Sequence, residues 1–99
     1  MGTLAITFRF KDDGDREERY ESFMKYFEGK KTWEETTSFV LLDSELSASE
    51  VAAKLYLTKF SPSRDKLLVI DVTGDVGQAW GNITMPFTLK SLMPKVVIS

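Results

Sequence analysis

The sequence predicts an α+β fold: a ferredoxin-like βαββαβ sandwich, an antiparallel sheet with two helices on one face, plus a C-terminal helical turn or short strand. Three observations predict it. Leu4-Ala5-Ile6-Thr7-Phe8-Arg9-Phe10 alternates strictly, the period-two mark of a half-buried strand. Two later segments carry helical spacing behind capping signals, at Asp15 and at Ser47. The most apolar stretch, Lys66–Val72, follows the second of them.

Each element has its own local reason. In the first strand Leu4, Ile6, Phe8 and Phe10 share one face, and Ala5, Thr7 and Arg9 the other. Lys11-Asp12-Asp13-Gly14 is a polar turn, and Asp15 with Glu18 fits a carboxylate capping box. Tyr20, Phe23, Met24 and Phe27 then follow the i, i+3, i+4, i+7 rule of one helix face. Arg16, Glu17, Arg19, Glu21 and Lys25 are assigned to the wet side, and Gly29 to the stop. Trp33–Leu42 reads as strand, long enough to expect a bend or hairpin break near Glu34-Glu35. Ser47-Ala48-Ser49-Glu50 is a full capping box. It opens a helix with Val51, Ala52, Leu55 and Tyr56 inward, ended by Ser61-Pro62-Ser63. The near-continuous apolarity of Lys66–Val72 suggests a central strand buried on both faces. Thr73–Gly77 is a loop, Trp80 and Ile83 are expected to pack back under it, and Pro86 starts a short helix over Phe87–Met93. Val96-Val97-Ile98 closes as a last strand. With no repeat or linker, 1–99 is read as one domain, a core over 1–83 and an extension over 84–99. One sheet face is expected to stay open, with Phe8, Trp33, Phe39 and Trp80 offering surface for oligomerisation.

Composition removes much chemistry. The chain of 99 residues has no cysteine and no histidine, hence no disulfide, no zinc finger, no thiol or Ser-His nucleophile and no imidazole metal ligand. A net charge of −2 gives no global cationic field for nucleic acid. Neither a signal peptide, a membrane-spanning run nor a myristoylation signal (Ile6 stands where Ser or Thr is needed) is expected, so a cytoplasmic protein without a membrane partner is.

Several residues could carry function. Asp12, Asp13 and Asp15 could hold Mg²⁺ or Mn²⁺ through oxygen ligands, although a solvated turn and helix cap explain them as well. Asp71 and Asp75 bracket Gly74 and could do acid–base work; an end-of-strand turn is the plainer account. Gly74, Gly77 and Gly81 match no phosphate-loop pattern. Arg9 could grip a phosphate or carboxylate, or pair with Asp71 or Glu35 on a neighbouring strand. Lys30, Lys31, Lys59, Arg64 and Lys66 could form a basic rim beside Trp33, binding single-stranded nucleic acid by charge and stacking. Ordinary solvated surface, with Trp33 in a core or interface, is the alternative.

Beyond the fold, the residues resemble a family. The strand Leu4–Phe10, a Trp at 33, Thr37-Ser38-Phe39-Val40, the helix start Leu46-Ser47-Ala48-Ser49, and Asp65-Lys66-Leu67-Leu68-Val69-Ile70-Asp71-Val72-Thr73-Gly74 followed by Trp80 resemble the SinR-like small proteins, which are related to the small CRISPR-associated ferredoxin-like nuclease. The resemblance covers roughly residues 4–83. It implies a homodimer in which two sheets face each other and a C-terminal strand, here Val96–Ile98, crosses to the partner's sheet. It also implies a metal-binding acid at the end of the first strand. The matching pair is Phe8-Arg9, and a guanidinium does not ligate a metal ion. The expectation is therefore a homodimeric, non-catalytic interaction or nucleic-acid-associated module without cofactor, binding through Arg9 and Trp33 and partnered by itself and by RNA or DNA. The alternatives are a divalent-metal-dependent endonuclease or endoribonuclease using Asp12, Asp13 or Asp71 with Mg²⁺ or Mn²⁺, and a toxin–antitoxin component.

Overall fold

The computed structural model describes residues 2–99. The elements run β1 (Gly2–Arg9), α1 (Arg16–Lys25), β2 (Thr32–Trp33), β3 (Phe39–Ser44), α2 (Ala48–Tyr56), β4 (Lys66–Asp71), β5 (Gly77–Ala79), α3 (Pro86–Leu92) and β6 (Val96–Ile98). β1 to β4 form an antiparallel sheet in the order β2-β3-β1-β4, the ferredoxin-like α+β arrangement. The long middle segment is a hairpin: Thr32 pairs with Leu42 and Trp33 with Leu41. Ser38, at φ 56, turns the chain in the left-handed region, and its carbonyl accepts the Phe8 N–H at 3.2 Å.

The first core lies between the sheet and α1 with α2. Alternation along β1 sends Leu4, Ile6 and Phe8 into it, with Phe10 just beyond. They meet Phe23 and Phe27 from α1 and its following turn, and Val51 and Leu55 from α2. Phe23 has no exposed surface and contacts Phe8 and Phe10 with ring centroids 4.8 and 5.2 Å apart. Ser47 caps α2 reciprocally with Glu50, as the capping box requires. The helix ends at Tyr56, well before Pro62, because Leu57 and Thr58 turn back onto the Lys54 and Leu55 carbonyls. Tyr56 faces outward, contrary to the helical-spacing expectation, because Val51 and Leu55 take the inward stripe of α2.

A second core covers the other sheet face in part. Ala5, Trp33 and Leu41 lie beneath Leu89, Leu92 and Val96. The chain after β4, expected to leave this face open, folds over it. β6 pairs with β5 of the same chain, in parallel, from Gly77 opposite Val96 to Ala79 opposite Ile98, and α3 is the crossover that a parallel pair needs. Polar pins hold this cover. Thr3 Oγ1 donates to the Leu92 carbonyl at 2.6 Å, the Thr84 N–H donates to Glu35 at 2.8 Å, and Lys31 reaches Ser91. Ile83 joins the second core, but Trp80 is 74% exposed and does not pack under the loop.

The cover stops short of β4. Rather than a central strand buried on both faces, β4 is a sheet edge. Leu67 and Val69 pack on the first core, while Leu68 and Ile70, on the opposite side of the pleat, are 55% and 45% exposed. The apolarity is real, but nothing from this chain lies over half of it.

Two measurements check the layout. Phe23→Ala should lower unfolding free energy by about 3–5 kcal/mol, whereas Phe87→Ala, outside both cores, should change it by less than about 0.5 kcal/mol. Trp33 is 5% exposed, so an aqueous quencher should extinguish Trp80 emission and spare the rest. Trp33→Phe should abolish the protected component.

Candidate functional site

The acidic loop after β1 folds around a guanidinium. Arg19, expected on the wet side of α1, is 2% exposed. It stands four residues before Phe23 and so shares the inward face. Its Nε and Nη2 donate to Asp65 at 3.0 and 3.1 Å, a bidentate pair. Nη1 donates to Asp13 at 2.8 Å and also to Asp15, and Nη2 to the Lys11 carbonyl at 3.0 Å. Asp65 further accepts the backbone N–H groups of Ser61 and Lys11 at 2.9 and 3.1 Å. Arg64 closes the ring on Asp15 at 2.8 Å. The clasp thus ties the β1–α1 loop to the α2–β4 loop.

This geometry changes the reading of the loop carboxylates. Asp15 occupies the N-cap position of α1 but makes no side-chain cap bond, since its oxygens serve Arg64 and Arg19. Arg64 beside it, and the nearby Arg19 charge, hold its carboxyl below the ordinary value. Burial pushes the Asp65 carboxyl up, but the bonds from Arg19, Ser61 and Lys11 outweigh it and leave the group below its ordinary value. The Asp65 bonds press the Arg19 guanidinium still further above its ordinary value. Among the described residues, no three acidic side chains gather where they could hold a metal ion. Asp12 is exposed, and Asp71 is at the far end of β4 from Asp65, a strand's length of about 20 Å away. Asp71 accepts Thr73 N–H and Oγ1 at 3.0 and 2.7 Å, which lowers its pKa and marks the strand-end turn. Asp75 lies beyond it, its N–H bonded to the Val72 carbonyl.

Neither pairing foreseen for Arg9 forms. In the ladder its opposite residue is Lys66, while Asp71 stands opposite Leu4. Glu35 is occupied by Thr84 and by the Trp33 Nε1–H at 3.1 Å; the Thr84 bonds chiefly hold its pKa low. Arg9 and Lys66 are therefore exposed cations directly opposite each other on the second face, and neither is in an ion pair among the described residues. A shallow cleft of about 200 Å³ between them is lined by Thr7 and Leu68. The other cations of the foreseen rim are dispersed: Lys30 lies over Tyr26, Lys31 meets Ser91, Lys59 meets Glu18 and Arg64 joins the clasp. Trp33 is buried in the second core, which leaves no ring face for a base.

Apolar surface also stands open at the β4 edge. A groove of about 720 Å³ runs between α2 and β4, lined by Ala48, Ala52, Tyr56, Phe60, Leu67 and Val69. On its other side stand the exposed Leu68 and Ile70. The fold and this surface define the class, a small ferredoxin-like α+β protein with one open, apolar sheet edge. No family model matches the chain, and neither a curated protein nor a solved structure matches it. No helix among the described residues is long and apolar enough to cross a membrane.

Asp65→Asn should cost on the order of 3 kcal/mol, because it breaks a buried bidentate pair and leaves Arg19 undercompensated. A carboxyl held low in the folded chain binds its proton less tightly there than in the unfolded chain. Its contribution is therefore fully present above about pH 4 and is lost as pH falls through the folded value. Denaturation followed from pH 6 to 2 should show a shallower acid loss in Asp65→Asn than in the parent.

Proposed function

We propose that this protein is a non-catalytic, homodimeric interaction module whose working surface is the β4 edge with the uncovered strip of sheet beside it. The observation that carries this reading is the exposure of Leu68 and Ile70 on a strand whose outer side has no neighbour. Such an edge is a template for another chain unless it is guarded. Of the loop carboxylates that a divalent metal could use, Asp13 and Asp15 are bonded to Arg19 and Arg64. The resemblance to the SinR-like small proteins also implies a homodimer, but one built on a crossing C-terminal strand, whereas here β6 pairs with β5 of its own chain. Sedimentation across micromolar to millimolar concentration tests it: a reversible monomer–dimer equilibrium is expected, and a monomer throughout overturns it.

A nucleic-acid-associated role has its own support in the Arg9–Lys66 pair. Like charges directly opposite on a sheet repel, and a phosphate between them relieves that repulsion. RNA or DNA binding at low salt should weaken steeply as salt rises. Arg9→Ala and Lys66→Ala should each flatten the salt slope by about 1. Absence of binding at low salt removes the nucleic-acid role and leaves the interaction role standing.

A further inference from the structure

Resting on that self-association, we infer how the two copies meet: β4 pairs antiparallel with β4 of a second copy of this chain, Val69 opposite Val69, about a two-fold axis normal to the sheet. The backbone dictates which groups are available. The Val72 N–H donates to the Thr3 carbonyl at 2.9 Å, and the ladder continues through Ile70 opposite Ala5 and Leu68 opposite Thr7. Alternate residues of an antiparallel strand bond to opposite neighbours. Leu67, Val69 and Asp71 therefore direct their N–H and C=O groups away from β1, into the unoccupied side.

A second β4 meets those groups in a register that the symmetry restricts. An axis normal to the sheet keeps each copy's faces on the same side, so opposite residues must come from the same side of the pleat. Centring on Val69 places Leu67 opposite Asp71 of the second copy, with main-chain bonds between them. It also sets Leu68 opposite Ile70 of the second copy, in the closer, non-bonded type of pair. The two exposed apolar side chains of β4 thus cover each other, twice. β4 is apolar from Leu67 to Ile70 and carries its charges only at its ends, Lys66 and Asp71, on opposite faces of the sheet, so the pairing sets no like charges against each other. None of the usual edge guards interrupts the run: it holds no proline and no inward charge. On the helix side, the small Ala48 and Ala52 flanking the groove leave room for the second copy's α2 to approach. Two four-stranded sheets become one, with the helices of both copies on one side.

The absence of cysteine makes the register directly readable. In a non-bonded antiparallel pair the Cα atoms stand about 4.5 Å apart, within reach of a disulfide. The double variant Leu68→Cys/Ile70→Cys should therefore give a covalent dimer under mild oxidation, while Val97→Cys and Phe87→Cys should not. Leu68→Lys, which keeps a monomer foldable, should raise the dimer dissociation constant at least tenfold. Val69→Pro, tolerated at an edge whose N–H faces solvent, should do the same with circular dichroism unchanged. If the parent dimerises but Leu68→Lys leaves the constant unaltered and Val97→Cys cross-links instead, the edge assignment is overturned while self-association survives. A parent that stays monomeric at millimolar concentration overturns both.

Discussion

A four-stranded sheet has two faces to cover, and most of this structure follows from how a short chain meets that demand. The helices cover one face except for the groove between α2 and β4. The segment after β4 covers the other from Trp33 across Leu41 to Ala5 and ends there. Every feature singled out as functional lies where that second cover gives out: the Arg9–Lys66 pair, the exposed Leu68 and Ile70, and the bare outer side of β4. Burial of apolar area is the dominant favourable contribution to folding. A chain that leaves branched aliphatics uncovered on an edge strand forgoes part of it, unless another chain supplies the cover.

The clasp around Arg19 shows the opposite treatment of polar groups. A guanidinium almost without exposure is costly unless its donors are used. Here Nε and both terminal nitrogens are bonded, to three carboxylates and a carbonyl. No buried side-chain polar atom among the described residues lacks a partner. Asp13 and Asp15, two of the three charges that look like a metal site in the sequence, fasten two loops at one end of the sheet.

Much of the fold is legible in the sequence because its signals are local. Strict alternation from Leu4 to Phe10, the Ser47–Glu50 box, the break after Glu34 and the proline at the start of α3 each follow from neighbouring residues, and each is found. The misreadings concern long-range partners. Continuous apolarity at Leu67–Ile70 signals apolar surroundings without saying whether this chain provides them, so an edge was read as a centre. Arg19 was assigned to water because charge outweighed position, although its spacing from Phe23 pointed inward. A single acid before a strand, such as Asp65, does not declare its partner; only Arg19, 46 positions away in sequence, gives it meaning. The β5–β6 pair was missed because Gly77–Ala79 carries almost no strand signal of its own.

The sheet order also bears on how the chain is made. β1 occupies the interior between β3 and β4, yet it is the first strand synthesised. Leu4 waits for Asp71, 67 positions later, before its second neighbour exists. At about 5–20 residues per second, that leaves an apolar strand half-partnered on the ribosome for roughly 3–13 seconds. A nascent chain of this kind offers Leu4, Ile6, Phe8 and Phe10 to whatever binds emerging hydrophobic segments. Its folding is then exposed to the pace of translation as well as to the stability of the finished sheet.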